Sequence, residues 1–489
     1  MSTKFRSLSA MLVACLTMLV AAASASAVSF IPAPGTYTVD TTALTLTGPG
    51  TSIAGTDQGG VAVFSFDNVS IAPTVLLEVE GSRPFKLLAG GELVVAGAIE
   101  ASGFSASAQE AGPVPGGPGG GAGGVDGADA GAGPGGGGVS PIERNGGGGG
   151  GFGGAGARGG IDEGDLSGLG GPAYGDLNTV LQGGSGGSGA SNVGGGGGGG
   201  AVALFGATVR ILPGAEVRAD GGNGGEGGTG ASGGGSGGGI LLRGVNLLVD
   251  GLLSARGGDG GEGGCCGNGG GGGGGRIALQ YQALAMAGTA DVSGGQSNAF
   301  SGDPSTEPTG APGVVTKIGA PTVSTSAPTA LKSGSAVLNG LVNPNSGATT
   351  YHFAYGTTTA YGSRAPAGEA PVGAAAANQP VAQFVTGLKP NTTYHFRLVA
   401  TNIAGFVTAS ADATFKTPAC IVPKLRGKKA KAARKALKKA NCKAGKVKRA
   451  FSGKVNKGRV IKQRAKPGKV LPAGAKVAIK VSKGEKGAG

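Results

Sequence analysis

A unit written three times between residues 194 and 295 restricts this chain more than any other feature of it. Each copy opens on a glycine run: residues 194–200, residues 233–239 broken only by Ser236, and residues 269–275. A short apolar segment follows: Val202-Ala203-Leu204-Phe205, Ile240-Leu241-Leu242, Ile277-Ala278-Leu279. A second comes after it: Val209-Arg210-Ile211-Leu212, Leu247-Leu248-Val249, Leu284-Ala285-Met286. Then come a turn glycine (Gly214, Gly251, Gly288, 37 residues apart both times), a third short segment and a closing Gly-Gly pair. A fixed period of this size signals stacked repeats. The segments are too short for helices and are bounded by glycine, so they predict strands. Three strands and one loop per copy make one rung of a parallel β-helix. A single rung cannot bury its apolar face, whereas stacked rungs share one core. Backbone bonds between rungs let side chains stay small, in keeping with 4% aromatic residues and no Trp. The glycine runs would leave one corner as loops. Ordering polyglycine is costly, so the loops are either disordered or packed on one another as extended strands. A flexible glycine linker is the alternative, and the regular strand spacing opposes it.

The pattern begins earlier. Residues 61–66, 69–71, 75–79, 85–88 and 93–95 read as short strands, and residues 97–103 align with 251–257. Residues 104–193 are glycine-dominated with few apolar runs and are expected to form a long loop insertion. Across roughly residues 45–300 the sequence resembles the glycine-rich β-helical regions of secreted bacterial surface proteins. That resemblance implies a fold and a surface location, not an activity.

The first 27 residues read as a secretory signal: Lys4 and Arg6, an apolar stretch over 11–23, then Ala25-Ser26-Ala27, with cleavage before Val28. The apolar stretch falls short of the ~18 residues a membrane span needs. Leu12-Val13-Ala14-Cys15 also resembles a lipobox, which would instead leave a lipidated Cys15. Export places the other four cysteines in an oxidising compartment. The adjacent Cys265-Cys266 is a candidate vicinal disulfide, and no ligand cluster surrounds it to suggest a metal site.

A Pro/Gly/Thr-rich linker is expected at 303–320. After it, Ser335 to Val342 and Thr350 to Tyr355 alternate in the manner of half-buried strands. Leu388, Pro390, Thr392 and Tyr394 lead into another strand, His395 to Thr401. Tyrosine just after such a turn matches the tyrosine corner of β-sandwiches. Residues 321–417 resemble a fibronectin type III domain that lacks the usual buried Trp, so the packing falls to Phe353, Tyr355, Phe396 and Leu398. The family implies a spacer or binding module.

From Cys420 a third unit begins. Val422-Pro423-Lys424-Leu425-Arg426-Gly427 precedes a helical run over 430–440, and strands are expected at 446–450, 459–463 and 476–481. With Gly-x-Val-Ile-x-Gln, Pro467-Gly468, Gly474 and Val481-Ser482-Lys483-Gly484, residues 420–484 resemble a PASTA domain, leaving 485–489 as a tail. The resemblance implies an extracellular module associated with peptidoglycan. Cys420 lies just before the first matching segment and Cys442 just after the helix. A disulfide between them is expected, since closing a loop of that size stabilises by about 3 kcal/mol.

The net charge of +14 belongs to this last unit. From Cys420 onward there are 24 Lys and Arg against Glu485 alone, leaving 17 basic and 26 acidic residues before it. Peptidoglycan or another anionic wall polymer is the expected partner, held by Lys428, Lys429, Lys431, Arg434 and Lys435. Nucleic acid is not, because export and the lack of aromatics other than Phe451 for base stacking oppose it. No catalytic, cofactor-binding or metal-binding residues are expected. His352 and His395 sit in matching Tyr-His-Phe segments on a solvated face. Asp259 and Glu262 lie in a segment, Gly-Gly-Asp-Gly-Gly-Glu, that lacks the apolar residue of a calcium-binding turn. A polysaccharide lyase would need acidic ligands and a basic catalyst on one rung face, and Arg210, Arg218, Arg243, Arg256 and Arg276 are scattered. The fold expected is mainly β: a glycine-rich parallel β-helix over 28–302, a sandwich, then a small α+β domain. The function expected is that of a non-enzymatic, wall-associated surface protein. A lyase-like enzyme, or an adhesin for another cell, is the alternative.

Overall fold

The computed structural model describes residues 28–107, 112–125, 129–142, 144–161, 166–190, 192–297 and 309–485. Residues 1–27, expected as a signal sequence, and with them Cys15, lie outside the described residues. Among the described residues the chain is mainly β with one short helix, and it divides into two compact units, Met1–Thr316 and Lys317–Gly489.

In the first unit two ladders of parallel strands run side by side. One takes Gly35–Asp40, Val75–Glu80, Ala98–Glu100, Glu216–Arg218, Leu252–Ser254 and Thr289–Asp291 in that order. The other takes Ala62–Phe66, Phe85–Ala89, Ala201–Phe205, Gly239–Val249 and Arg276–Met286. Val69–Ile71, Glu92–Val95 and Thr208–Ile211 extend it beside the second half of Gly239–Val249. The register lines inward residues into columns, such as Leu77, Ile99, Val217 and Leu253, or Leu87, Leu204, Leu242 and Leu279. Every one is fully buried in a single core. The two apolar segments expected as separate strands in the second and third copies are one strand each. The residues between them keep pairing, Arg243 with Gln280 and Asn246 with Ala283. At the amino-terminal edge, Thr45–Gly48 and Thr51–Ala54 fold back antiparallel on Gly35–Asp40 and close the open ladder.

The glycine runs take the second of the two forms expected for them: they pack on one another as extended chains. Residues 231–239 show how they pack. Ala231, Gly234 and Gly237 donate backbone N–H bonds to Gly267, Gly270 and Gly273 (2.9–3.0 Å). Ser232, Gly235 and Gly238 donate to Gly225, Gly222 and Ala219, while Gly233 and Ser236 donate to Ser188 and Ser185. Every third residue therefore faces the same neighbour. A chain with three residues per turn and no internal hydrogen bonds is in the polyproline II conformation, and here its bonds go to three flanking chains. Described residues within 104–193, expected as a long extended loop, enter the same layer: Gly147 and Gly150 donate to Ala231 and Gly234, Gly148 and Gly151 to Gly138 and Gly135. Only glycine fits. A Cβ on Gly235 would sit 2.1 Å from the Gly197 carbonyl oxygen, and one on Gly272 2.0 Å from that of Gly235. The expected linker is ordered where it is described: Gly310 and Gly313 donate to Gly295 and Val292, and Val314–Gly319 is a strand.

In the second unit a three-stranded sheet (Thr322–Lys332, Ser335–Asn343, Gln379–Thr386) and a five-stranded sheet share one core. The latter is built on Ser363–Gly373, Thr349–Gly356 and Thr393–Asn402. Phe353, Phe396 and Leu398 are fully buried and Tyr355 only partly, while Leu338, Phe415 and Tyr394 complete the core. The Tyr394 hydroxyl accepts the Lys389 N–H at 2.9 Å, tying the turn to the strand that follows. The remaining residues form a separate small core around Leu425, Leu437, Val460 and Ile479. The helix Ala430–Lys439 packs on a three-stranded sheet whose central strand is Lys476–Ser482. Lys443–Ala450 lies parallel on one side of it and Val460–Gln463 antiparallel on the other.

Candidate anion-binding surface

Lysine and arginine crowd the last module, and its elements place them on two faces. The helix turns Ala433 and Leu437 into the core. The cations of the helix, Lys431, Arg434, Lys435, Lys438 and Lys439, are exposed, as are Lys428 and Lys429 just before it. Of the five cations expected from the sequence, Lys431, Arg434 and Lys435 are on the helix, and Lys428 and Lys429 lie just before it, beside Arg459 and Val460. The helix end is well made: Asn441 takes a left-handed φ of 56°, and its N–H and that of Cys442 return to the Lys438 and Leu437 carbonyls. Its start is not. Lys429 occupies the N-cap position with no side-chain acceptor, and no acid lies in the first turn. Cations there oppose the helix dipole. Lys431 with Lys435, and Lys435 with Lys439, are like-charged i,i+4 pairs costing about 0.2–0.5 kcal/mol each.

The opposite face belongs to the sheet. Along the central strand Val477, Ile479 and Val481 are buried, so Lys476, Ala478 and Lys480 face away from the helix. Lys480 pairs with Lys448 on one neighbour and with Lys462 on the other, which makes a row of three lysines across three strands. Lys443 pairs with Lys476. A bulge places Gly445 and Lys446 opposite Ala478 on one side, and the Arg464 N–H bonds the Ala478 carbonyl on the other (3.0 Å). Lys443, Lys446, Lys448, Lys462, Arg464, Lys476 and Lys480 are all exposed. Among the described residues none of these side chains forms an ion pair, and the module's one acid, Glu485, lies near Gly453.

Beneath both faces, Gln463 clamps the entry segment. Its Oε1 accepts the Leu425 N–H at 2.7 Å, and its Nε2 donates to the Pro423 and Ala465 carbonyls. Cys420, in a short strand paired with Val470–Pro472, is disulfide-bonded to Cys442.

The other residues singled out in the sequence are spread. His352 contacts Glu369 at 3.0 Å and His395 contacts Asp412 at 2.7 Å, two separate pairs at the surface of the two-sheet core. The Asp259 carboxylate accepts the Gln296 N–H at 2.7 Å, one step of a side-chain ladder in which Asn223 takes the Asp259 N–H and Ser105 the Asn223 N–H. Arg210 pairs with Glu92, Arg218 with Glu216 and Asp220, Arg256 with Asp291, and Arg276 donates to the Tyr174 carbonyl. The bond from Arg218 holds the Glu216 carboxyl below its usual range. Arg243 lies over the Phe205 ring with Lys86, whose pKa is lowered by burial and then by Arg243. Cys265 and Cys266 are disulfide-bonded to each other. Among the described residues no three metal-ligating side chains converge, and no helix is long and apolar enough to cross a membrane.

Residues 421–483 match the family model of the PASTA domain. No curated protein matches the chain. Among solved structures, it is similar to the sensor domain of the anti-sigma factor RsgI4 in Pseudobacteroides cellulosolvens, at 22% identity over 20% of this chain and 94% of that one, TM-score 0.17. A solution structure of that domain gives 19% identity, 20% and 74% coverage, and the same TM-score. The cell-surface-expressed chitinase ChiW from Paenibacillus sp. str. FPU-7 is similar at 8% identity over 73% of this chain and 23% of that one, TM-score 0.12. Superpositions this loose say nothing of function. The C-terminal module is a PASTA domain, and the match covers that module alone.

Proposed function

We propose that this chain is an exported, non-enzymatic surface protein held at the cell wall by its PASTA domain. PASTA domains bind peptidoglycan-related ligands. In this reading the stacked parallel rungs are a β-helix that serves as the body, and residues 321–417 are a fibronectin type III-like spacer. The observation that carries the proposal is the charge of the last module. It has 24 basic residues against one acid, and every described cation in it except the half-buried Arg459 is exposed. Many exposed cations attract an anionic polymer over about a Debye length, ~8–10 Å at physiological salt, and raise its encounter rate. Anionic wall polymer is therefore the partner, in preference to a neutral pocket ligand. Cell fractionation tests the proposal. The protein should be recovered with the wall and released by salt. Recovery in the membrane fraction, released only by detergent, would refute it.

A further inference from the structure

The helix side and the sheet side are both cationic, and only one has the form of a seat. We infer that the open face of the three-stranded sheet is the docking surface, and that its occupant is a linear wall polymer whose charges are phosphodiesters. The inference rests on the wall attachment proposed above and names its face and its ligand chemistry. Three observations carry it. First, Lys448, Lys480 and Lys462 stand directly opposite one another across three strands. Like charges so placed destabilise a sheet, and a polyanion laid over them relieves the repulsion. Adjacent strands are about 4.8 Å apart, so the row is about 10 Å long, long enough to span more than one charge of a polymer. Second, Ala478 is the one short outward side chain of the central strand between Lys476 and Lys480, and Lys446 and Arg464 flank it from the neighbouring strands. A methyl group ringed by four cations leaves a shallow depression suited to a phosphate. The bulge at Gly445 and Lys446 is what brings the fourth cation to it. Third, no aromatic side chain lies on these three strands to stack on a sugar ring. Recognition there is by charge, and six of the seven cations are lysines, which bind phosphate as point charges. On the helix, by contrast, the cations stand on a convex surface and are not set in register across neighbouring strands.

The test uses the chain from residue 28 to 489 and a synthetic poly(glycerol phosphate), with polygalacturonate and anionic phospholipid vesicles as competing sources of negative charge. Two variants remove equal charge: K448Q/K462Q/K480Q from the sheet and K431Q/R434Q/K435Q from the helix. A third, Ala478→Leu, fills the depression without changing charge. The sheet variant should lose about tenfold or more in affinity at low salt, and its plot of log K against log salt should be shallower by about 3, one for each contact. The helix variant should change about twofold. Ala478→Leu should weaken binding with the salt slope intact, and circular dichroism should show all three folded. Equal losses from the two triple variants, or loss from the helix variant alone, would overturn the assignment of the face. Binding to polygalacturonate or to vesicles as tight as to poly(glycerol phosphate) would overturn the phosphodiester polymer as occupant. If the unaltered chain binds none of the three in a salt-dependent way, the wall-anion proposal itself fails.

Discussion

Single glycines hold the layer of the first unit together by what they lack. At Gly235 a Cβ would meet the Gly197 carbonyl oxygen at 2.1 Å, where bonds to flanking chains leave no room to retreat. Gly235→Ala should therefore destabilise the unit by about 3 kcal/mol, the upper end of ordinary overpacking. Gly228, exposed at a turn of the same layer, has nothing within 4 Å of its ideal Cβ. Gly228→Ala should be neutral or gain a few tenths of a kcal/mol, about what restricting the unfolded chain gives. Thermal unfolding of the two variants separates packing from composition, and equal melting temperatures would contradict the packed layer. The disulfide gives a second residue-scale expectation. Cys420 and Cys442 are 22 residues apart, so Cys420→Ser with Cys442→Ser should cost the last module about 3 kcal/mol in the chain-entropy model. Reductant should lower the melting temperature of the last module in the native chain and leave that of the same module in the double variant unchanged. Gln463 shows what the sequence conveys at this scale. Its place in Gly-x-Val-Ile-x-Gln was readable as motif, but the reason for it, two hydrogen bonds to a segment about 40 positions earlier, is a tertiary fact.

At the scale of elements, the sequence was legible wherever apolar periodicity operates. Val202 to Phe205, Thr350 to Tyr355, the run 430–440 and Lys476 to Val481 all become the elements their patterns indicate, with ends shifted by a residue or two. Residues 104–193 were not legible. A three-residue hydrogen-bond period among glycines leaves no apolar trace, and partners such as Gly147 and Ala231 are 84 positions apart. The candidate site was half legible. Charge counting finds the basic module, but the row of Lys448, Lys480 and Lys462 depends on strand register and a bulge, which residue counts do not reveal. The helix Ala430–Lys439 carries a prediction of its own. Lys429 has the extended backbone of an N-cap residue (φ −56°, ψ 144°) and no side-chain acceptor. Lys429→Asp supplies an acceptor and a favourable charge at the dipole, and should raise stability by about 1 kcal/mol. Chemical denaturation of the variant measures this, and a loss of stability would show that Lys429 has a structural role the cap geometry does not reveal. Under sheet-side docking the same variant should retain its affinity for polymer within about twofold.

For the whole molecule, charge divides the chain at Cys420, within the second unit. The residues before Cys420 are net acidic, 17 basic against 26 acidic, and those after it are strongly basic. A negatively charged polymer should therefore discriminate between them: attraction to the last module and repulsion, or indifference, from the rest. The measurement that tests this most directly compares residues 28–489 with a chain ending at Thr417 on isolated cell walls, over a series of salt concentrations. The account predicts that the longer chain is retained at low salt and released near 1 M, where the Debye length shrinks to about 3 Å, and that the shorter chain is not retained at any salt. Equal retention of both chains, in low and high salt alike, would contradict it.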